Sequence, residues 1–221
     1  MSKKDKNQFF FSFYDEIQQD PLFFEKEAYA KGYCKIAGVD EAGRGPLAGP
    51  LVVASCILPK GLFLAGVNDS KQLTPFQRQT LYSQITTHPS IVYAIEVIEH
   101  TQVDEMNILQ ATLQGMKQVV ESLTTSPDFI LVDGPYAPFS PEKSKAIIKG
   151  DFLSHTIACA SILAKVTRDE IMDGYDMEWP EYGFIKNKGY GTQEHLEALR
   201  RFGPSPIHRR SFAPVQKSLI Y

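Results

Sequence analysis

Carboxylate residues follow short apolar runs at three places in the chain. Asp40 and Glu41 come directly after one such run, Asp133 ends a second, and Asp151 follows a third run and a glycine. Each aspartate alone is typical of an ordinary turn. Open α/β sheets place their ligands at strand ends. Three acidic strand ends in one chain therefore predict a shared acidic site at one edge of a sheet.

These four carboxylates favour a hard divalent cation. No Cys or His lies at ligand spacing beside them, so Mg²⁺ or Mn²⁺ fits better than zinc. Crowded carboxylates repel one another, and such a site needs cations to be stable. Two divalent ions about 4 Å apart can activate a water and stabilise a leaving oxygen at phosphorus. The residues predict metal-dependent phosphodiester hydrolysis and leave DNA, RNA and hybrids open as substrates.

A glycine-rich turn, Gly43 to Pro50, follows the first acidic pair. Adjacent residues of a regular strand point to opposite faces, so Asp40 and Glu41 share a site only where the strand bends or ends. We expect the first strand to run to about Val39 and to break there. Arg44 in the turn suggests a phosphate contact, and the alternative is an edge turn with solvated charges.

The remaining periodicity predicts an α/β fold. A second strand over Leu51–Leu58 forms a hairpin with the first, and a third covers Ile91–Ile98. Helices are predicted from Pro75, over Thr101–Leu123, from about residue 157 after a cap at Ser154 or Thr156, and over about 193–202. Lys71, in the loop before the first of these helices, is a candidate phosphate contact.

The C-terminal part has the features of a nucleic-acid surface on a chain of ordinary composition. The 221 residues are 43% hydrophobic and 22% charged, with a net charge of −3. Aromatics alternate with Lys and Gly around Tyr190, which suits stacking and phosphate contact. The alternatives are a solvated surface and a tyrosine packed on the core. A local basic face is predicted from Lys186, Lys188, Arg200, Arg201, Arg209 and Arg210.

The three cysteines indicate a reducing compartment. Cys34, Cys56 and Cys159 form no metal-binding pair, and the last two lie in apolar runs typical of a core. No run is long enough to span a bilayer, and the N-terminal apolar run is too short for a signal peptide. We expect a cytoplasmic protein.

Several motifs together resemble bacterial ribonuclease HII, a type 2 ribonuclease H. The resemblance runs from Ile36 to Val215 and rests on seven ordered motifs. They are Ala37–Pro50, Asp69–Leu73, Val132–Gly134, Lys149–Asp151, Ala160–Asp169, Lys188–Thr192 and Pro206–Phe212.

The resemblance implies a ribonuclease H-like fold, with a mixed five-stranded sheet flanked by helices and a helical C-terminal segment. It implies that Asp40, Glu41, Asp133 and Asp151 form the catalytic, metal-binding cluster for two Mn²⁺ or Mg²⁺ ions. It further implies that the backbone of Gly43, Arg44 and Gly45 contacts a ribose 2′-OH. Tyr190 would pack on the sugar that follows the ribonucleotide.

The implied activity is cleavage of the RNA strand of RNA/DNA hybrids, and of duplex DNA on the 5′ side of a single embedded ribonucleotide, leaving 3′-OH and 5′-phosphate ends. Asn187 and Pro135 depart from the family, which often has His and Asn there. The alternatives are another nuclease of the superfold, such as a junction resolvase, and a non-catalytic nucleic-acid-binding protein.

We expect two parts in the chain, a helical extension over residues 1–31 packed on the body and a catalytic domain over residues 32–221 that includes the C-terminal substrate-binding segment. We also expect a monomer that does not bind membranes. The family allows a sliding-clamp partner, for which the segment Val215–Tyr221 is a weak candidate.

Overall fold

The structure, a computed structural model, describes residues 20–67, 70 and 72–219. Within them lies one five-stranded sheet with the strand order β3-β2-β1-β4-β5. The strands are β1 (Ile36–Ala42), β2 (Leu51–Ile57), β3 (Val92–Ile98), β4 (Phe129–Asp133) and β5 (Ser144–Ile147). β1 pairs antiparallel with β2 and parallel with β4, so the sheet is mixed, as predicted.

Helices cover both faces of this sheet. They are α1 (Phe23–Ala30), α2 (Pro75–Thr87), α3 (His100–Met106), α4 (Ile108–Glu121), α5 (Gly150–Leu153), α6 (His155–Glu178), α7 (Phe184–Asn187), α8 (Gln193–Phe202) and α9 (Ala213–Ser218), with a 3₁₀ turn at Pro180–Tyr182. α2 and α6 pack on one face of β2 and α4 on the other. The predicted cap at Ser154 is confirmed, because its side chain accepts a hydrogen bond from Ile157 N–H.

Helix α6 lies unusually close to the central strand. A side chain at Gly38 of β1 would place its Cβ 2.3 Å from the backbone carbon of Thr156. The glycine therefore lets the start of α6 touch β1.

Two predicted boundaries are wrong. β1 does not break after Val39 but continues to Ala42, because Asp40 and Glu41 keep their pairing with Ala54 and Val53 of β2. The helix predicted over Thr101–Leu123 is two helices. Asn107 interrupts it with φ of 69°, and its side-chain oxygen accepts from the amides of Leu109 and Gln110.

The N-terminal segment is described from residue 20 onward. Phe24 and Ala28 of α1 pack against Ile36 and Leu131 of the sheet. The buried Glu25 carboxylate accepts from Ser154 Oγ at 2.7 Å. The predicted helical spacing at residues 14–17 lies outside the described residues. The division into residues 1–31 and 32–221 stays a prediction.

The structure also bears on the expectations for the cysteines, the clamp segment and membrane spans. Cys56 and Cys159 are buried and all three cysteines are free thiols, as predicted. Val215 is fully buried on α9, so its side chain is not available to a clamp. No helix among the described residues is long and apolar enough to cross a membrane.

Candidate active site

Asp40 lies near the end of β1, on the face covered by α6. It opposes Ala54, which packs with α6, whereas Glu41 opposes Val53, which packs with α4. Successive strand residues alternate in direction, so the two neighbouring acids start on opposite faces. The Asp40 side chain is 4% exposed, and its Oδ1 accepts from Glu41 N–H at 2.7 Å.

Asp133 and Asp151 arrive from the parallel half of the sheet. Asp133 is the last residue of β4. Asp151 lies in α5, the short helix that follows β5, and is buried. The Oδ1 of Asp133 accepts from Gly150 N–H at 2.6 Å and from Asp151 N–H at 3.4 Å, so this carboxylate joins the end of β4 to the start of α5.

The three aspartates converge as the sequence predicts. Asp40, Asp133 and Asp151 each offer a carboxylate oxygen, and these oxygens lie within 4.8 Å of one another. Burial raises the pKa of Asp40 well above its ordinary value, and the nearby negative charges of Glu41 and Asp133 raise it further. The crowding of acids thus costs free energy, which a cation in their midst would offset.

Glu41 lies outside this group of three. One of its oxygens is 3.3 Å from the Arg44 guanidinium, which is half exposed. Glu41 still acts electrostatically on Asp40. The structure therefore links the first acidic pair to the glycine-rich turn through a salt bridge, and it does not place all four acids in one cluster.

Two buried arginines bind the backbone of the glycine-rich turn. The sequence did not predict this role for them. Arg168 of α6 and Arg209, which follows α8, are buried, and their guanidinium groups donate to backbone carbonyls of residues 43–50 and of Lys188. Gly43 has φ of +101°, and a Cβ there would lie 2.2 Å from Arg168 Nε. Only glycine fits this position.

Tyr190 stands beside the turn and is 45% exposed. A Cβ at Gly45 would lie 3.5 Å from the Tyr190 ring, and the Arg168 guanidinium lies 6.0 Å from the ring centroid. The structure therefore brings together Tyr190 and the Gly43–Arg44–Gly45 turn, which are about 145 residues apart in the chain. An exposed aromatic face next to a turn is suited to stacking on a sugar or base.

A buried histidine pair supports the backbone of Tyr190, and it too was missed. Ser205 N–H donates to His208 Nδ1 at 2.9 Å, so the proton of the neutral His208 ring is on Nε2. That Nε2–H donates to His195 Nε2 at 3.0 Å. His195 must then carry its proton on Nδ1, which donates to the Tyr190 carbonyl at 2.8 Å.

Comparison with known protein families matches residues 37–215 to the family Ribonuclease HII. The chain belongs to the ribonuclease HII family. It is accordingly a metal-dependent endonuclease of the ribonuclease H type, and nucleic acid is its substrate.

Similar proteins come from several organisms. The chain is 56% identical over 195 residues to a ribonuclease HII of Desulfitobacterium hafniense, covering 88% of this chain and 75% of that one. It is 51% identical over 208 residues to a ribonuclease HII of Chlamydia trachomatis, covering 92% and 95%. The crystal structure of ribonuclease H2 from Pyrococcus horikoshii OT3 aligns with a TM-score of 0.70 at 31% identity, covering 83% of this chain and 96% of that chain. The ribonuclease H-like fold is confirmed.

Asn187, which the family resemblance marks as a departure, has a structural role. Its side chain is buried, donates to the Tyr182 carbonyl at 2.7 Å and accepts from Gly189 N–H at 2.8 Å. It therefore shapes the backbone that leads into Tyr190. Nothing in the structure explains Pro135.

The basic face predicted in the C-terminal part of the chain contains fewer exposed cations than expected. Arg209 is fully buried beneath the turn, and Lys188 pairs with Asp173. Lys186, Arg200, Arg201 and Arg210 remain exposed. Lys71 lies outside the described residues, and its phosphate contact stays a prediction.

Proposed function

We propose that Asp40, Asp133 and Asp151, assisted by Glu41, bind two divalent cations, Mg²⁺ or Mn²⁺. With them the protein cuts a ribonucleotide-containing strand on the 5′ side of the ribonucleotide. The convergence of three carboxylates from three separate segments within 4.8 Å is the observation on which this proposal depends. The buried position of two of these acids separates the site from an ordinary solvated cluster.

The donor set fits hard divalent cations. The three converging groups offer only carboxylate oxygens, which suit Mg²⁺ and Mn²⁺ rather than zinc. When bound, such ions lower the pKa of a water, neutralise charge on the phosphate and stabilise the leaving oxygen. The hydrogen bonds from Gly150 and Asp151 fix the Asp133 carboxylate, and the Glu41 N–H fixes that of Asp40.

We propose that Glu41 has a linking role besides its contribution to the negative field. Its salt bridge to Arg44 connects the acids to the turn, at 3.3 Å. A phosphate that approached Arg44 would compete for the same guanidinium and would release the Glu41 carboxylate towards cations. Glu41 is therefore placed to couple the arrival of substrate to the completion of the metal site.

The substrate would lie over the turn and Tyr190. We propose that the Gly43–Arg44–Gly45 backbone contacts the ribose 2′-OH, as the family resemblance implies, and that the Tyr190 ring packs on the next sugar. Support comes from the exposure of Arg44, Gly45 and Tyr190 on one continuous surface. The 2′-OH is the group by which a protein distinguishes RNA from DNA.

Mapping of cleavage positions tests this function. Three duplexes labelled at either strand end are compared, namely a long RNA/DNA hybrid, DNA with one ribonucleotide, and DNA alone, each with Mg²⁺ or Mn²⁺. We expect cleavage of the hybrid and a single cut 5′ of the ribonucleotide, with 3′-OH and 5′-phosphate ends. Equal cleavage of plain DNA would indicate another nuclease of the superfold, and binding without cleavage would indicate a binding protein.

A further inference from the structure

Two buried arginines lie beneath the glycine-rich turn. Arg168 is 1% exposed and Arg209 is fully buried. In the described part of the chain, neither guanidinium has a carboxylate within ion-pair distance. Burial of a charge without an ion pair is costly and requires strong compensation from other groups.

Backbone carbonyls provide that compensation. Arg209 donates to the carbonyls of Gly43 from Nη2 at 2.7 Å, of Arg44 from Nη1 at 3.2 Å and of Gly49 from Nε at 3.0 Å. Arg168 donates to the carbonyls of Ala48, Pro50 and Lys188 at 2.9 to 3.1 Å. Each arginine thus binds a different set of carbonyls. Those of Gly43 and Arg44, in the exposed turn, accept hydrogen bonds only from Arg209 among the two.

The orientation of these carbonyls fixes the orientation of the following amides. In a trans peptide, the C=O of one residue and the N–H of the next point in opposite directions. The Gly43 and Arg44 carbonyls point inward to Arg209, so the N–H groups of Arg44 and Gly45 point outward. Within the described residues these two amides donate to no other group, and both residues are exposed.

Arg209 is itself held in place through its neighbours. Its own N–H donates to the Leu47 carbonyl at 2.8 Å, and the amides of Arg210 and Ser211 donate to the Asp104 carboxylate at 2.7 and 2.9 Å. Burial, together with the positive charge of Arg168, lowers the pKa of Arg209 to about 9. The fold thus buries the charged Arg209 guanidinium despite the cost in free energy, and its two Nη nitrogens point at the carbonyls of the turn.

We propose that Arg209 is a positioning residue that aims the Arg44 and Gly45 amides at the ribose 2′-oxygen and so sets the discrimination of ribose from deoxyribose. This inference rests on the proposed function. It assigns the discrimination to a side chain that does not touch the substrate. Lysine at this position would retain the charge but could not donate to both turn carbonyls in the geometry of a guanidinium fork.

The amides can be observed without substrate. In ¹⁵N-labelled protein, Arg209→Lys should shift the Arg44 and Gly45 amide resonances, because their peptide planes lose the carbonyl contacts that orient them. Ile85→Ala truncates a fully buried side chain of α2, in a core cluster that includes no residue of the turn, and serves as a control for general destabilisation. That variant should lose thermal stability while the two resonances stay in place.

The second readout is binding in the Asp133→Asn background, in which we expect no appreciable cleavage. Kd is measured for DNA duplex with and without one ribonucleotide, and the ratio of the two gives the discrimination. Arg209→Lys should lower this ratio by ~10-fold, the effect of losing about one well-formed hydrogen bond to a substrate oxygen. Arg168→Lys makes the same chemical change beneath other carbonyls and should lower the ratio less than Arg209→Lys does, since none of the Arg168 hydrogen bonds is to the Gly43 or Arg44 carbonyl.

The two readouts separate the possible failures. Unshifted Arg44 and Gly45 amides in Arg209→Lys would overturn the positioning role, as would an unchanged ratio in a variant whose amides do shift. A ratio of one already in the parent protein would contradict the proposed 2′-OH recognition instead, and the amide spectra would then decide the positioning role alone.

Discussion

The protein buries charge of both signs around one site, and the two sets are stabilised differently. The three aspartates crowd within 4.8 Å, and burial and mutual repulsion raise the pKa of Asp40. The two arginines are as deeply buried, yet each of their nitrogens donates to a carbonyl. Added cations would stabilise the three aspartates, whereas the hydrogen bonds of the two arginines are already formed within the folded chain.

This difference assigns separate tasks to the two sets. A cluster that gains stability from cations binds them, and chemistry at phosphorus follows from the ions and the groups that hold them. A cation that is already satisfied by carbonyls acts through the backbone that it orients. Changes to the aspartates should therefore affect the rate of cleavage, and changes around the arginines should affect the choice of substrate.

The largest effect is expected for Asp133→Asn. This change removes the charge of a converging carboxylate, and cleavage should fall by ~10³-fold or more because several kcal/mol of charge stabilisation are lost. Binding of hybrid, measured by fluorescence anisotropy, should stay nearly unchanged. Near-normal cleavage by this variant would refute the assignment of the acids.

Gly43→Ala should destabilise the protein where the turn packs on Arg168. The new Cβ would lie 2.2 Å from Arg168 Nε at a φ of +101°, so we expect a loss of ~2 to 4 kcal/mol in the free energy of unfolding. Gly32→Ala is the matched control, because Gly32 has φ of +94° with nothing within 4 Å of the added atom. Urea unfolding of both variants separates the backbone penalty from the clash, and equal losses would show that Arg168 yields without cost.

The histidine pair provides a third buried set, which is neutral, and its effect depends on pH. Burial lowers the pKa of His208 from its ordinary 6.5 to about 3, and the nearby His195 contributes to this shift. The unfolded chain therefore takes up the proton first, so the stabilisation is complete above pH 6.5 and is lost as the pH falls towards 3. We expect His208 to account for a loss of ~2 kcal/mol between pH 6.5 and 5.

Urea midpoints measured across this pH range test the expectation. Burial also lowers the pKa of His155, to about 4, so the wild type combines both effects. The difference between wild type and His208→Gln isolates the histidine pair. A constant difference across the range would contradict the neutral, buried assignment of His208.

The smallest effect is expected at the exposed edge of the site. Tyr190→Ala should slow cutting at a single embedded ribonucleotide by ~10-fold more than cutting of long hybrids, because a stacking contact worth about 1 to 3 kcal/mol is lost at the junction. Tyr190→Phe keeps the ring and should behave like wild type. Equal losses by Tyr190→Ala on both substrates, in kcat/KM, would argue against junction recognition.

The acids could be found from the sequence because their signal is local. Each ends or follows a short apolar run, and strand ends in an α/β sheet lie near one another. The hairpin of β1 and β2 and the cap at Ser154 were predicted for similar reasons, whereas the mixed sheet was implied by the family resemblance. The break in the long helix was missed because Asn107 stabilises its own interruption through two side-chain hydrogen bonds, which periodicity does not reveal.

The burial and the hydrogen bonds of the two arginines and of the histidine pair have no comparable local signal in the sequence. Arg168 lies within a helix and Arg209 in a run that reads as a basic surface, so their charge suggested solvent exposure. Their burial depends on carbonyls of residues 43–50, which are more than a hundred positions away. Likewise, the tautomers of His195 and His208 follow from Ser205 and Tyr190 only after the fold has brought them together.

The central claim is that the converging aspartates perform metal-dependent cleavage at a ribonucleotide. The most direct test is the rate of cutting of DNA that contains one ribonucleotide, measured with excess EDTA and again after Mg²⁺ or Mn²⁺ is restored. We predict no cleavage with EDTA and full recovery, on the 5′ side of the ribonucleotide, when the metal returns. Cleavage that persists in EDTA would contradict the account.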